Sequence, residues 1–225
     1  MKQLDHEHFQ ILCNAGTLQK LPKGHIFYDG YDNLDAIYCL TDGLCALMSL
    51  KDSGKEHIYH YLKPGSIIGF TPAFLEYTHE QDTTSEAYFL LKAKSNCTVY
   101  RLEKERIFEL MQTYPQILKF IMLSMANTSR NLLKHFYTAQ ESNAASKIAF
   151  TLLSLAEEVN GDFILHKEFN YPELSKYLGI HHITVARIIG SFKDEGIIKK
   201  LGHSIKILDQ EALMDYAQNK KILQY

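Results

Sequence analysis

The chain has 225 residues, 46% of them hydrophobic, a formal net charge of −2 and four cysteines, which show no CxxC spacing. This length suits one large or two modest domains, and the cysteine spacing indicates neither a zinc knuckle nor a disulfide framework. No apolar run approaches the roughly 18 residues of a membrane span, and the N-terminus lacks the apolar segment of a signal peptide. We therefore expect a folded, cytoplasmic protein with no membrane partner.

The first part of the chain is predicted to be a small β-domain. From Leu21 to about Leu102, short apolar segments alternate with turn signals such as Pro22-Lys23-Gly24 and Pro64-Gly65. Asp42-Gly43 is a two-residue hairpin signal between two of these segments. Many short strands at near-regular spacing predict a barrel or jelly roll, which closes its own edges and often encloses a ligand. We assign residues 1–112 to this domain.

Residues 113–141 are assigned to a long dimerisation helix and the hinge, with the helix running to about Gln140. Pro115 opens it in the first turn, and neither proline nor glycine interrupts it afterwards. Apolar positions recur at alternating threes and fours, a spacing near 3.5 that favours a coiled-coil seam. The alternative is that this stripe packs only on its own barrel. The predicted seam of a homodimer consists of Leu118, Ile121, Met125, Thr128, Leu132 and Phe136.

The last segment, residues 142–225, is predicted to be a winged helix-turn-helix domain. It follows a hinge near residues 139–143 and begins with a helix predicted from residue 144 to 159. Asn170 caps the next helix, which stops at Gly179, and a second helix follows residues 180–182 and ends at Gly196. Residues 197–208 form a short hairpin. Two helices joined by a tight turn suit insertion into a major groove; the alternative is an ordinary helical hairpin with a small sheet.

The exposed positions of this last domain predict an interface with double-stranded DNA. Residues 172–208 contain six basic and three acidic side chains, an excess of +3, which suits a sequence-specific dimer better than a non-specific binder. Ile183 can pack on a thymine methyl group, and Arg187 prefers guanine or a phosphate. The predicted DNA-contacting residues are His181, His182, Ile183, Thr184, Arg187, Gly202, His203 and Ser204.

The order of β-barrel, long helix, hinge and winged helix-turn-helix resembles the Crp/Fnr superfamily of bacterial transcription regulators over nearly the whole chain. The matching landmarks are Gly24, Gly30, Asp35, Tyr38, Gly43, Pro64-Gly65, Ile68-Gly69 and residues 174–198. Residues 181–187 are most similar to the recognition helix of the halorespiration regulators, the CprK-type branch.

This resemblance implies an α+β fold with an N-terminal, cyclic-nucleotide-binding-like jelly-roll β-barrel, a long dimerisation helix and a C-terminal winged helix-turn-helix. It implies a homodimer whose barrel binds a small-molecule effector. Effector binding then rotates the DNA-binding domains about the hinge. RNA polymerase is a further expected partner.

Departures from the family pattern bear on the effector. Cyclic-AMP receptors carry Gly-Glu-Leu and an Arg-Ser pair that holds the phosphate, where this chain has Gly69-Phe70-Thr71 and Ser85-Glu86. A carboxylate in place of Arg repels phosphate, so cyclic AMP is not the expected effector. Two leucines are expected where nucleotide-binding relatives offer helix hydroxyls, which suggests a small, largely apolar or aromatic effector; alternatively, these side chains fill the barrel without a ligand. The predicted effector residues are Gly69, Phe70, Phe74, Ser85, Glu86, Tyr88, Leu132 and Leu133.

Cofactor and redox alternatives depend on histidines and cysteines. Cys13 is the only cysteine near the N-terminus, so an iron–sulfur cluster lacks its thiolates there. His57 and His60 stand at i and i+3 of a strand and face opposite sides, so we expect no metal or haem. Cys39 and Cys45 flank the Asp42-Gly43 turn, and proximity across the hairpin would make a redox-responsive regulator the alternative.

An enzyme is the second functional class. A cupin-like barrel enzyme needs His-x-His in one strand with a Glu a few residues on, and the predicted strands lack this spacing. The chain also lacks a nucleophile elbow, a P-loop and an HExxH motif. The enzyme hypothesis leaves residues 170–208 unexplained, so we expect a regulator without enzymatic activity.

Overall fold

The computed structural model describes residues 3–29, 34–50, 56–74, 88–141 and 143–223. The chain divides into two compact units, residues 1–132 and 133–225. The division falls inside a helix, α4, that runs Pro115–Glu141. The last turns of the predicted dimerisation helix are thus assigned to the second unit.

The first unit is a double-sheet β-domain with helices at its ends. Its strands form two antiparallel four-stranded sheets, in the orders β1-β8-β3-β6 and β2-β7-β4-β5, as defined by the ranges below. The predicted jelly-roll fold is confirmed. The elements before α4 are α1 (Gln3–Ala15), β1 (Thr17–Leu21), β2 (Ile26–Asp29), β3 (Ala36–Asp42), β4 (Cys45–Leu50), β5 (Glu56–Leu62), β6 (Ile67–Ile68), α2 (Phe70–Phe74), β7 (Tyr88–Ala93), β8 (Cys97–Glu103) and α3 (Lys104–Thr113).

The Asp42-Gly43 dipeptide is a corner between the sheets, so the predicted hairpin is wrong. β3 pairs with β6 and β8, whereas β4 pairs with β5 and β7. Gly43 has φ of +96°, and a Cβ atom there would lie 2.4 Å from the carbonyl oxygen of Asn96. The position therefore requires glycine for both conformation and space.

Two apolar clusters hold this unit together. One lies between the two sheets and includes Leu40, Leu91 and Val99. The other joins α1, α3 and the start of α4 to the first sheet, and Ile121 of α4 is fully buried in it. The first half of α4 is therefore packed against its own β-domain.

The second unit contains a four-stranded antiparallel sheet in the order β11 (Ile198–Leu201), β12 (Ser204–Ile207), β10 (Asp162–Leu165) and β9 (Glu157–Val159). The helix predicted to end at residue 159 ends earlier, at Leu155. Residues 157–159 are a strand that pairs with residues 162–164. Asn160 and Gly161 form the two-residue turn between these strands, and both have positive φ. Asn-Gly is a common hairpin turn because both residues adopt positive φ readily. The elements of this unit are α5 (Ala144–Leu155), β9 (Glu157–Val159), β10 (Asp162–Leu165), α6 (Tyr171–Leu178), α7 (His182–Asp194), β11 (Ile198–Leu201), β12 (Ser204–Ile207) and α8 (Gln210–Ala217).

Candidate nucleic-acid interface and effector cavity

Helices α6 and α7 form the helix-turn-helix, and local interactions fix both ends of α6. The Asn170 side chain accepts a hydrogen bond from the Glu173 N–H at 3.0 Å, which satisfies one donor of the first turn. Gly179 ends the helix with φ of +66°, in the left-handed region. The predicted helix and both of its caps are confirmed.

Helix α7 has one buried face and one exposed face. The buried face consists of Val185, Ile188, Ile189 and Phe192, as their helical spacing predicts. On the other face Ile183 is 62% exposed, and His182 and Arg187 are also exposed. The His181 ring Nδ1 accepts a hydrogen bond from the Ile183 N–H at 3.4 Å and thereby caps the helix. The start of α7 thus presents two imidazoles, an apolar group and a guanidinium, which suit contact with base edges.

Strands β11 and β12 form the wing. Leu201 lies opposite Ser204, and Gly202 and His203 form the exposed turn between them. Lys206 is ion-paired with Asp162 at 2.7 Å, so the lysines that make up the predicted positive excess are not equally available to phosphates. The eight predicted DNA-contacting residues all lie in the second unit, five at the start of α7 and three on the wing.

A cavity of about 200 Å³ lies in the first unit, between the second sheet, residues 67–72 and α4. Three predicted effector residues line it, Gly69, Phe70 and Leu132. Leu133 is 58% exposed and is not among the lining residues. Of the other predicted residues, Ser85 and Glu86 lie outside the described residues, and so do the side chains of Phe74 and Tyr88.

Polar side chains in this cavity were missed by the sequence analysis. Helix α4 contributes Ser124, Thr128 and Ser129 to the lining beside the predicted Leu132, so residues with hydroxyl groups accompany the leucine there. The Thr128 hydroxyl donates to the Ser124 carbonyl oxygen at 3.1 Å. Ser124 and Thr128 are four residues apart, which puts them on one face of the helix, and this spacing is the signal that could have found them.

His60 is a further lining residue that sequence reasoning considered only as a metal ligand. It lies on β5, opposite Leu47 of β4, which also lines the cavity. Burial lowers the pKa of the His60 imidazole, and the charge of Lys63 acts in the same direction. The ring is therefore uncharged at neutral pH and offers one donor and one acceptor nitrogen.

The exposed apolar face of α4 is shifted from the predicted dimer seam: Met122 and Leu133 take the places predicted for Ile121 and Leu132. Ile121 is only 1% exposed and packs into its own unit, and Thr128 lines the cavity. Their side chains thus face the β-domain. The exposed apolar side chains at helical spacing, which we call the outer stripe, are Leu118, Met122, Met125, Leu133 and Phe136. Met125 is 42% exposed and also borders the cavity, so it lies at the edge of the stripe.

The contacts between the cysteines differ from those expected from the sequence. Cys39 and Cys45 belong to different sheets and different apolar clusters. The Cys45 and Cys97 sulfur atoms are 3.7 Å apart instead, and Cys39 contacts Cys13. All four are buried, as unreactive structural thiols commonly are. β3 and β4 belong to different sheets, so the predicted hairpin that was expected to bring Cys39 and Cys45 together does not form.

Among the described residues, no group of three or more His, Cys, Asp or Glu side chains is arranged to hold a metal ion. In the same part of the chain, no helix is both long and apolar enough to cross a membrane.

Comparisons with known proteins agree with this arrangement. A family model of the cyclic nucleotide-binding domain matches residues 18–114, and one of the Crp-like helix-turn-helix domain matches residues 146–216. The cAMP-activated global transcriptional regulator CRP of Haemophilus influenzae is 25% identical over 195 residues, which cover 84% of this chain and 83% of that protein.

Solved structures share the fold. FixK2 from Bradyrhizobium japonicum superposes with a TM-score of 0.73 at 16% identity, covering 93% of this chain and 99% of that one. OCPA-complexed CprK gives a TM-score of 0.60 at 14% identity and covers 92% of this chain and 93% of that one. CprK is thus one of several structural neighbours, and the fold does not single out its branch. With a cyclic nucleotide-binding domain followed by a Crp-like helix-turn-helix domain, the chain is a Crp/Fnr-type transcription regulator.

Proposed function

We propose that the chain is an effector-gated, sequence-specific regulator that binds a palindromic promoter site as a homodimer. The exposed N-terminal face of α7 carries this proposal, because a helix whose other face is buried can enter a groove only with that face. We expect His182, Ile183 and Arg187 to contact base edges. Thr184, His203 and Ser204 are expected nearer the phosphates.

The half-site should reflect the side chain at position 183. Isoleucine cannot accept a hydrogen bond from cytosine N4, but it packs on a thymine methyl group. Site selection from random duplexes with the full chain tests this. A half-site rich in A·T at the step facing Ile183 supports the proposal, and recovery of the half-site of cyclic-AMP receptors contradicts it. The CprK-like character of residues 181–187 predicts a half-site shared with that branch.

The outer stripe of α4 supports the homodimer. Its five apolar side chains are exposed along several turns of one helix, and contact with the same stripe of a second copy would remove them from water. A palindromic site needs two recognition helices one helical turn apart, which a dimer supplies. A dimer bound at a promoter has RNA polymerase as its expected further partner.

The cavity supports a small, largely apolar or aromatic effector. Its volume of about 200 Å³ is below the range of roughly 300–1,000 Å³ found for typical ligand sites, and apolar side chains from both the sheet and α4 line most of it. We expect aromatic acids or phenols to raise the melting temperature of the protein and to change its affinity for the selected DNA site.

The experiment is a DNA titration at fixed salt, carried out without any compound, with each aromatic acid or phenol, and with cyclic AMP as a separate compound. A response to cyclic AMP alone would contradict the effector assignment. Identical DNA affinity under all conditions would contradict gating by these compounds.

A further inference from the structure

The lining of the cavity restricts the charge of its ligand. Among the described residues, no Lys, Arg, Asp or Glu side chain lines it. The lining residues between β5 and β7 are Ile67, Gly69, Phe70, Thr71 and Pro72, all of them uncharged. An anion that enters such a cavity loses its water without gaining an opposite charge, which is costly.

Uncharged hydrogen-bonding groups stand on two walls of the cavity. His60 is on the sheet wall, and its imidazole is neutral at neutral pH for the reasons given above. Lys63, whose charge acts on His60, is not among the lining residues. Ser124 and Ser129 add hydroxyls from α4, and each hydroxyl can both donate and accept.

The remaining surface of the cavity is mostly apolar. Leu47, Leu62 and Leu91 line it from the sheet, and Ile121, Met125 and Leu132 line it from α4. A ligand that fits must therefore combine an apolar body with a polar group, because a fully apolar molecule would cover the half-buried imidazole of His60 without offering it a partner.

We propose that the effector is an uncharged molecule with an apolar body and one hydrogen-bonding group, such as a hydroxyl or an amide, and that His60 and the α4 hydroxyls select it. This inference rests on the proposed function of the cavity as the effector site. It narrows that proposal, since it excludes anions, aromatic acids included. It also assigns to His60 a specificity role that the sequence did not indicate.

Four probes that share one benzene ring test the proposal with the full chain at pH 7.5. They are benzyl alcohol, toluene, benzoate and benzylammonium, and cyclic AMP is added as a larger anion. Dissociation constants come from ligand-detected NMR titrations. We expect benzyl alcohol to bind about three- to tenfold more tightly than toluene, the range that one neutral hydrogen bond supplies. Benzoate and benzylammonium should bind more weakly than toluene.

Two variants connect this preference to the named groups. His60→Leu should bring benzyl alcohol and toluene to equal affinity, and Ser124→Ala should reduce their ratio. His57→Leu is the matched control: His57 is on the same strand, packs against the Tyr59 ring at 4.8 Å and does not line the cavity. This control should keep the wild-type ratio. If His60→Leu does not fold, the ratio of the benzyl alcohol and toluene affinities measured for Ser124→Ala decides whether the proposal holds.

The inference is overturned if benzoate, benzylammonium or cyclic AMP binds most tightly, if both variants keep the wild-type ratio, or if none of the probes binds. The proposed function is tested separately, by binding to the selected DNA site. A protein that binds this site in response to an anion would refute the uncharged effector and leave the gated regulator standing. A protein that selects no DNA site would refute the regulator whichever probe binds the cavity.

Discussion

A lysine in place of Met122 tests the homodimer through the outer stripe of α4. Met122 is 61% exposed and follows Leu118 by four residues on that stripe. Leu123 is similarly exposed, at 48%, but lies about 100° further around the helix axis. Lys119 and Asn127 are its neighbours four residues away, so Leu123 sits on the polar side of the helix. Leu123→Lys is therefore the matched control.

The expected magnitude follows from the exposed fraction of Met122. Full burial of a Met side chain is worth about 1.5–3 kcal/mol, so burial of its 61% exposed part contributes about 2–4 kcal/mol for the two copies in a dimer. A lysine removes this contribution and brings two ammonium groups close to the two-fold axis, where burial and like-charge repulsion both oppose association. The dimer dissociation constant should rise by roughly 20- to 500-fold or more, at about 1.4 kcal/mol per tenfold.

Sedimentation equilibrium of wild type, Met122→Lys and Leu123→Lys measures the dissociation constants directly. A DNA titration at fixed salt should show that Met122→Lys loses affinity for a palindromic site and keeps its affinity for an isolated half-site, since avidity depends on two linked copies. If Met122→Lys remains dimeric and binds the palindrome normally, the seam lies elsewhere. If both variants dissociate equally, the stripe has no special role.

The remaining predictions concern DNA contacts and local stability. Arg187→Ala should weaken specific DNA binding by about 1–3 kcal/mol in anisotropy titrations, and an equal loss on unrelated DNA would indicate a phosphate contact instead. Ile183→Glu should shift the preferred base pair at its step from A·T to C·G in site selection, and an unchanged preference would remove Ile183 from the base contacts. Asn170→Ala should lower the free energy of unfolding by about 0.5–2 kcal/mol in urea denaturation, because the bond to the Glu173 N–H is lost, and an unchanged midpoint contradicts this. Gly43→Ala should lower the melting temperature more than Gly24→Ala. Both glycines have φ above +90°, but of the two only Gly43 has a backbone atom within 3 Å of where a Cβ atom would lie. Equal melting temperatures of the two variants would refute the steric argument.

Local signals in the sequence predicted the helix-turn-helix well, because its boundaries depend on adjacent residues. Asn170 bonds to an N–H three residues away, and Gly179 adopts a conformation that glycine reaches without strain. Of the two errors in secondary structure, the end of α5 is local, because residues 157–159 pair with residues 162–164 across the Asn160-Gly161 turn, whereas the error at Gly43 concerns pairing with distant segments. Whether β3 turns back onto β4 at Gly43 depends on strands β6, β7 and β8, which no dipeptide specifies.

The position of the α4 stripe shows a similar limit. Ile121 and Met122 are adjacent apolar residues, and a period of 3.5 or 3.6 is compatible with either as the centre of a stripe. Only contact with the β-domain decides that Ile121 faces inward and Met122 faces outward. The cavity polar groups were missed for the same reason, since His60 and Ser124 are far apart in sequence and acquire a common role only when the strand and helix meet.

Effector gating needs a structural element with two arrangements whose relative free energy changes when the cavity is filled. Helix α4 is a candidate for this element, because it contributes residues to both units. Six residues between Ile121 and Leu132 line the cavity. The proposed function therefore predicts that a ligand bonded to His60 and to the helix hydroxyls stabilises one placement of this stretch against the sheet. Three residues beyond Leu132, His135 stacks on Tyr177 of α6 with ring centres 4.2 Å apart. His135 thus follows the last lining residue by about one turn of the same helix. Because the outer stripe of the same helix is the proposed dimer seam, the proposed function predicts that a ligand acting on α4 changes both the dimer and the spacing of its two recognition helices.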